Sequence, residues 1–291
     1  MAWAHGEGVE LYYETFGAPE DPPLLLIAGL GAQAIGWPDE LCEGFVDRGF
    51  HVVRFDNRDV GLSTKLSEAV DLSALAGDVA AGRVPCGPYR LTDMALDAVA
   101  VLDAAGLDDV HLVGASMGGM IAQTMAIEHP SRVRTLTSIM SSTGEAHVGQ
   151  PAPEVVELLA EPVATDREAA IAVALEWSRR VGSPDHADPD YVSALAGAHW
   201  DRDSRPGVAR QLAAILASGS RADALVQLDV PTLVVHGALD RLIDPSGGER
   251  TAELVPGARF ESIEGMGHDL PVYFWSRIIQ LVTAHVVQAA L

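Results

Sequence analysis

Six short apolar runs recur along the chain, and each is bounded by residues that favour turns. Uninterrupted apolar runs of this length are typical of strands that a parallel sheet buries on both faces, whereas a half-exposed strand alternates apolar and polar positions. We therefore predict six strands of one mostly parallel sheet. The runs cover residues 24–27, 50–55, 110–113, 133–140, 231–236 and 258–263.

Helical patterns lie between the predicted strands. Over residues 92–106 the apolar side chains recur at helical spacing, and Gly106 is a natural stop for that helix. Strands that alternate with helices predict an α/β fold, in which helices cover both faces of a mostly parallel central sheet.

The alternation breaks between residues 141 and 224, where the sequence holds Ala-rich helical stretches and no convincing strand. We interpret 141–224 as a helical cap, or lid, inserted into an α/β core formed by residues 1–140 and 225–291. The alternative is a set of ordinary helices that pack on the sheet. The predicted helices of this block cover residues 154–160, 167–181, 191–200 and 207–218.

The amino-acid composition bears on which classes of molecule this protein can bind. Hydrophobic residues make up 48% of the 291 residues, enough for a large buried core, and charged residues make up 21%. The formal net charge is -22, so the surface repels phosphate backbones and anionic lipid headgroups. We therefore expect neither a nucleic-acid partner nor binding to a membrane surface.

The cysteines and the first residues bear on location. Cys42 and Cys86 do not form a C-x-x-C pair, and a single bridge would not make a disulfide framework, so we expect two free thiols. The chain starts without the basic and apolar stretches of a signal peptide, and the apolar run 24–28 is too short to span a bilayer. These features predict a cytoplasmic protein.

The sharpest local motif is Gly114-Ala115-Ser116-Met117-Gly118, which matches G-x-S-x-G between a predicted strand and a helical run. In this setting the serine sits on a strained strand-to-helix turn, and the glycines let neighbouring backbones approach closely. The helix start places N–H groups and a positive dipole end beside the hydroxyl. We predict that Ser116 is a nucleophile rather than an incidental serine in a glycine-rich turn.

A serine hydroxyl needs a base to take its proton, and the base needs a group that orients it. Asp240 and His268 each follow one of the last two predicted strands. We predict that His268 is the general base and that Asp240 orients it. Asp244 is a rival acid or merely a turn residue. His236 is the alternative base, although it precedes the acid along the chain.

Acyl transfer also needs two N–H donors directed at the developing oxyanion. We predict that one is the backbone N–H of Met117, the residue after the nucleophile. The loop after the first predicted strand reads Ala28-Gly29-Leu30-Gly31, and from it we assign Leu30 as the second donor. A plain turn is an equally good interpretation of that loop alone.

These elements together make the chain resemble the α/β-hydrolases along nearly its whole length. The serine motif, the later acid and histidine, and the early glycine loop follow that family's order. The stretch from Arg54 to Ser63 is similar to the family's D-x-R-x-x-G-x-S element, which here begins at Asp56 and whose role in the family is largely structural. Members often carry His-Gly in the oxyanion loop. Here it is Ala28-Gly29, so a side-chain support is missing.

Within the family, residues 36–40, 54–64 and 116–118 are similar to the aclacinomycin methylesterase group, which cleaves a methyl ester on an anthracycline. The resemblance implies an α/β-hydrolase fold with a cap. It also implies a serine hydrolase that cleaves a carboxylic ester of a hydrophobic small molecule through an acyl-enzyme intermediate. A serine at this position argues against the related haloalkane dehalogenases and epoxide hydrolases, which use aspartate there.

Other functions are compatible with the same residues. A carbon–carbon bond hydrolase or a cofactor-free perhydrolase could use this triad, and a non-catalytic ligand receptor could keep the fold. We predict no cofactor and no metal, because the sequence has neither an H-E-x-x-H motif nor a dense group of histidines and aspartates at ligand spacing.

Overall fold

An eight-stranded sheet forms the centre of the protein in a computed structural model, which describes residues 2–159, 164–203 and 207–291. Its strands are β1 (Ala2–Gly6), β2 (Val9–Phe16), β3 (Pro23–Ile27), β4 (His51–Phe55), β5 (Val110–Ala115), β6 (Val133–Ile139), β7 (Thr232–Gly237) and β8 (Arg259–Ile263). They lie in the order β1-β2-β4-β3-β5-β6-β7-β8. The six predicted strands are β3 to β8, and they pair with one another only in parallel, which confirms the predicted sheet.

A hairpin at the start of the chain lies outside the six predicted strands. β1 and β2 pair antiparallel, and β2 pairs antiparallel with β4. Gly6 pairs with Val9, so the loop has two residues, and Gly8 takes the positive φ of 72° that such a tight turn favours. β1 is an edge strand that mixes aromatic, polar and small residues, and it therefore lacks the apolar run that identifies the inner strands.

Eleven α-helices lie within the described residues. The predicted helix 92–106 corresponds to the third, where Arg90 N–H donates to the Asp93 carboxylate at the start and Gly106 closes the end with φ 70°. The helices are α1 (Asp39–Val46), α2 (Leu72–Ala80), α3 (Leu91–Ala105), α4 (Met117–Glu128), α5 (Pro153–Leu159), α6 (Arg167–Val181), α7 (Pro189–Arg202), α8 (Val208–Ser218), α9 (Ala222–Leu225), α10 (Ser246–Leu254) and α11 (Val272–Ala289).

Both faces of the sheet are covered, as the alternation of strands and helices predicts. Leu25 and Ile27 of β3 join a core with α3 and α4, whereas Leu24 and Leu26 join a second core with α1 and α11. All four side chains are fully buried, which explains why β3 is apolar at successive positions. Burying each such side chain stabilises the fold by about 1.5–3 kcal/mol.

Between β6 and β7 the regular structure of the described residues is helical, from α5 to α9. α6 and α7 pack on each other, while Ala214 of α8 and Leu225 of α9 are buried in the core beside α3 and α4. The predicted helix 154–160 corresponds to α5, and its last position, 160, lies outside the described residues. The division into a core and a cap at 141–224 stays a prediction. No described helix combines the length and the apolar character that crossing a bilayer requires.

Candidate active site

The predicted site residues lie at the carboxyl ends of neighbouring parallel strands. Ser116 follows β5 directly, while Asp240 and His268 lie on the loops after β7 and β8. Leu30 lies on the loop after β3, which pairs with β5. Because parallel strands end at the same edge of a sheet, four loops that are distant in sequence meet here.

Ser116 occupies a sharp turn between β5 and α4. Its backbone has φ 55° and ψ −120°, a conformation that residues with a side chain rarely adopt. The Ser116 N–H donates to the carbonyl of Ile139 at 2.9 Å, which ties the turn to β6. The hydroxyl is thereby held at the tip of the strand, and the surrounding sheet and helix maintain the unfavourable backbone angles.

The glycines of the motif are required by close contacts between backbones. A Cβ on Gly114 would overlap the backbone of Gly118, and a Cβ on Gly118 would overlap the carbonyl of Ile27 on β3. Gly119 is similar, since a Cβ there would lie 2.6 Å from the Cβ of Ser141. The first turn of α4 can therefore pack against β3, β5 and the end of β6 only because these positions lack side chains.

The three predicted triad residues form one hydrogen-bonded chain. His268 Nε2 lies 3.0 Å from Ser116 Oγ, and His268 Nδ1 lies 2.7 Å from Asp240 Oδ2. An ionised carboxylate can only accept, so we assign the proton to Nδ1, which leaves Nε2 free to accept from the serine hydroxyl. This is the arrangement in which an imidazole can deprotonate a serine.

The Asp240 carboxylate is buried, and both of its oxygens accept hydrogen bonds. Its Oδ1 accepts from the N–H groups of Leu242 and Ile243, both at 2.9 Å, and its Oδ2 faces His268 and, at 3.2 Å, His236 Nε2. Burial by itself raises the pKa of Asp240, but the two histidines outweigh burial and lower that pKa to about 2. The carboxylate is therefore ionised at any pH at which a neutral histidine can act as a base.

This low pKa predicts an acid-dependent contribution of Asp240 to stability. The pKa falls from the ordinary 3.8 to about 2 on folding, so the contribution is fully present above about pH 4 and is lost as the pH falls through about 2. In urea unfolding, we expect the advantage of the wild type over Asp240→Asn to shrink by about 2 kcal/mol between about pH 5 and about pH 2. A constant advantage over that interval would contradict the assigned ionisation.

Asp244 and His236, the alternatives for the acid and the base, make other contacts. The exposed Asp244 accepts from the N–H of Ser246 at 3.0 Å, at the start of α10, and so acts as a turn residue. His236 is fully buried, and its Nε2 lies 2.9 Å from the carbonyl of Ile243 as well as near Asp240. His236 is thus a second neighbour of the triad carboxylate, a role that sequence order alone did not reveal.

The loop after β3 packs against Ser116. A Cβ on Gly29 would lie 3.3 Å from Ser116 Cβ and 3.8 Å from its Oγ. The Gly29 carbonyl accepts from Ala32 N–H at 3.2 Å, and because the carbonyl and N–H of a trans peptide point in opposite directions, the Leu30 N–H points away from that bond. Met117 is the first residue of α4, where an N–H has no partner within the helix. The roles of Leu30 and Met117 as oxyanion donors stay predictions.

Two side chains support this loop in place of the missing histidine. Asn57 Nδ2 donates to the carbonyl of Ala28 at 3.0 Å. Gln211, which is fully buried on α8, accepts from the N–H of Gly31 at 2.8 Å through Oε1 and donates through Nε2 to the carbonyl of Arg58 at 2.8 Å. Gln211 was not predicted from the sequence, because a glutamine in a helical pattern carries no sign of a partner 180 positions away.

Replacing Gln211 with leucine should loosen the loop that carries Leu30. We expect Gln211→Leu to lower kcat for an ester by about 10-fold and to leave KM nearly unchanged, since the oxyanion forms only on the way to the transition state. Steady-state kinetics beside the exposed control Gln227→Leu would test this expectation. Wild-type kcat in a folded Gln211→Leu variant would show that the loop holds its position without the glutamine.

The stretch from Asp56 to Ser63 makes hydrogen bonds and ion pairs with neighbouring elements, which is the structural role that its resemblance implies. Asp56 is fully buried, accepts from the N–H of Ala34 at 2.6 Å and pairs with Arg202 of α7 at 2.7 Å. Ser63 Oγ donates to the Asp56 carbonyl at 2.6 Å. Arg58 pairs with Asp97 of α3 at 2.6 Å. These residues brace the loops beside the site.

The described residues contain no group of three or more His, Cys, Asp or Glu side chains arranged to hold a metal ion. Separately, a serine hydroxyl, an imidazole and a carboxylate lie in one hydrogen-bonded chain beside the start of α4. Such an arrangement can transfer an acyl group from a bound carbonyl compound to a serine and then to water.

Relatives with known names match the chain over almost its full length. It is 31% identical over 300 aligned positions to the rhodomycin D methylesterases DauP of Streptomyces sp. (strain C5) and DnrP of Streptomyces peucetius, and each alignment covers 95% of both chains. Among solved structures, the esterase RhEst1 from Rhodococcus sp. ECU1013 superposes with a TM-score of 0.78 at 20% identity, covering 99% of this chain and 98% of that one.

A family model for the alpha/beta hydrolase fold matches residues 22–273. That range runs from β3 to the first residues of α11 and includes every predicted site residue. The sheet topology, the strand-to-helix turn at Ser116 and the length of the match lead to one assignment. The chain belongs to the α/β-hydrolase family.

Proposed function

We propose that this protein is a serine hydrolase that cleaves a carboxylic ester through an acyl-enzyme intermediate. The observation that carries the proposal is the hydrogen-bonded chain from Asp240 through His268 to Ser116, with steps of 2.7 Å and 3.0 Å. The methylesterases DauP and DnrP support it, because their similarity extends over 95% of the chain.

Each residue has one task in the proposed reaction. Ser116 Oγ attacks the ester carbonyl while His268 Nε2 takes its proton, and Asp240 holds Nδ1–H and stabilises the imidazolium. The N–H groups of Leu30 and Met117 bind the oxyanion. His268 then gives the proton to the leaving alcohol. In the second half, His268 deprotonates a water that attacks the acyl-enzyme, and it returns this proton to Ser116 Oγ as the bond to the acyl group breaks and the carboxylic acid leaves.

The substrate we propose is a methyl ester of a polycyclic or other hydrophobic small molecule. The relatives DauP and DnrP are named for a methyl ester of rhodomycin D, and the net charge of -22 disfavours polyanionic partners. We also propose a cytoplasmic location, which the two free thiols of Cys42 and Cys86 support.

Residues 141–224 form, in this proposal, a cap beside the site. Two contacts support the assignment: the N–H of His268 donates to the carbonyl of Val181 at 2.6 Å, and Gln211 holds the N–H of Gly31 at 2.8 Å. The segment thus reaches the loop of the base and the loop of the proposed oxyanion donor. Such a cap would select substrates by the shape of its inner surface.

An ester screen tests the proposed function. Wild type and Ser116→Ala would be assayed against methyl esters of hydrophobic polycyclic acids, aryl esters and a vinylogous diketone, with peracid formation measured in parallel. Serine-dependent hydrolysis of the esters is the expected result. Serine-dependent cleavage of the diketone alone would point instead to a carbon–carbon bond hydrolase, and peracid formation alone to a perhydrolase. Covalent labelling of Ser116 by a fluorophosphonate without turnover of any compound would point to a receptor.

A further inference from the structure

The loop that carries His268 is bonded to the end of α6 as well as to the triad. The backbone N–H of His268 donates to the carbonyl of Val181 at 2.6 Å, and the N–H of Gly267 donates to Ser183 Oγ at 2.9 Å. Val181 and Ser183 lie more than 80 positions before the residues that donate to them. Ser183 and Gly267, for example, are 84 positions apart. The backbone of the histidine is therefore placed by the segment between β6 and β7.

Ser183 is the centre of this contact. It is fully buried, and its Oγ both accepts from Gly267 N–H and donates to Asp269 Oδ1 at 2.6 Å. The Ser183 N–H lies 3.1 Å from each oxygen of the same carboxylate. One serine thus holds the residue before His268 through its backbone N–H and the residue after it through its carboxylate.

The Asp269 carboxylate bonds to Ser183 and is not part of the hydrogen-bonded chain of Asp240, His268 and Ser116. Burial raises the pKa of Asp269, and the hydrogen bonds from Ser183 offset part of that rise. Burying an ionised carboxylate costs free energy unless hydrogen-bond donors surround it. Ser183 supplies such donors to Asp269, so their contact stabilises the conformation of the loop. Asp269 follows His268 directly, and its carboxylate faces Ser183. Asp269 therefore helps to hold the loop that carries the histidine.

The backbones approach so closely that no side chain would fit between them. A Cβ on Gly267 would overlap the backbone of Gly182, and a Cβ on Gly182 would lie 2.7 Å from Asp269 Oδ2. Gly237 at the end of β7 is similar, because a Cβ there would overlap the carbonyl of Met266. The His268 loop is thus packed between β7 and the end of α6 with little room to shift.

We propose that Ser183 is a positioning residue for His268. The inference rests on the proposed function, because it assigns Ser183 the task of holding the imidazole 3.0 Å from Ser116 Oγ and 2.7 Å from Asp240. Ser183 touches no reacting atom. It acts through the backbone of residues 267–269, and a displacement of about 1 Å at a reacting group can lower the rate by about 100-fold.

The test compares Ser183→Ala with the wild type and with Thr283→Val, which removes a hydroxyl of α11 that donates to its own helix at Ile279. We expect Ser183→Ala to lower kcat for an ester by about 10- to 100-fold with KM within about twofold, and Thr283→Val to change neither. Thermal unfolding would verify that each variant is folded. Wild-type kcat in folded Ser183→Ala, or an equal loss in Thr283→Val, would overturn the proposal.

A second pair of variants decides the matter if Ser183→Ala does not fold. Asp269→Asn keeps an acceptor for both donors of Ser183, whereas Asp269→Ala removes it. We expect Asp269→Asn to retain several-fold more turnover than Asp269→Ala, because only the asparagine can still accept from Ser183. Equal turnover in folded Asp269→Asn and Asp269→Ala would contradict the positioning role of this contact.

The rate of labelling by a fluorophosphonate separates this proposal from the proposed function. Labelling requires Ser116 to be activated by His268 but does not require an ester to be turned over. If the wild type labels and hydrolyses no ester, the proposed function fails. The ratio of labelling rates between Ser183→Ala and wild type still decides the positioning role, with a drop of about 10-fold or more supporting it and an unchanged rate overturning it.

Discussion

Replacement of Ser116 by alanine is expected to lower ester turnover by about 10⁴- to 10⁶-fold while the protein stays folded. The change removes the oxygen that attacks the carbonyl in the proposed reaction, and with it the 3.0 Å contact with His268 Nε2. Alanine keeps the Cβ, so the strained backbone with φ 55° is no worse than in the wild type. Turnover would be measured on the best ester of the screen, and folding by circular dichroism and thermal unfolding.

Ser67→Ala is the matched control for this experiment, because Ser67 is exposed on the surface and remote in sequence from the motif. It should retain wild-type kcat and KM. Loss of activity in the control would indicate damage unrelated to the nucleophile. Ser116→Ala that still hydrolyses the ester at more than about 1% of the wild-type rate would refute Ser116 as the nucleophile, since a missing nucleophile costs far more than that.

The second large effect is expected for Asp240→Asn, with kcat lower by about 10⁴-fold. The asparagine oxygen can still accept from the N–H groups of Leu242 and Ile243, so its amide nitrogen would face His268 Nδ1. Two donors cannot share that contact. The imidazole proton would then move to Nε2, where it prevents the ring from accepting the proton of Ser116.

Asp244→Asn is the control, because Asp244 lies four positions away and its carboxylate caps a turn at Ser246. It should change kcat by less than about twofold, as exposed substitutions usually have small effects. The reverse pattern, with Asp244→Asn inactive and Asp240→Asn active, would identify Asp244 as the acid. Kinetics at several pH values would show that neither result arises from a shifted optimum.

Local patterns were sufficient to predict the inner sheet, and they singled out three side chains that the fold brings together, Ser116, Asp240 and His268. Residues 24–27 are apolar because both faces of β3 are covered, and a strand buried in this way needs no alternation to be recognised. Gly114 and Gly118 are required by contacts between backbones, so the motif around Ser116 carries its own geometry. The hairpin of β1 and β2 was missed because an edge strand is only partly buried and its apolar residues are interrupted.

The supports of the site could not be predicted, because they depend on pairs that are distant in sequence. Gln211 reaches Gly31 across 180 positions, and Ser183 reaches Asp269 across 86. Neither residue departs from an ordinary helical or loop pattern. His236 differs, since it lies four residues before Asp240 at the end of a strand, and that spacing could have revealed it as a second donor to the same carboxylate.

The segment between β6 and β7 is attached to the core at fixed points, and this limits how the enzyme can be re-engineered. Its bonds at Val181 and Ser183 hold the loop of His268, and its bond at Gln211 holds the loop of Leu30. A chimaera that exchanges the whole segment with a relative would disturb both of these loops at once. If the segment is the proposed cap, exchange restricted to the stretch between these anchors, such as α7 before Arg202, would change the surface offered to substrates and leave the bonds at Val181, Ser183 and Gln211 in place.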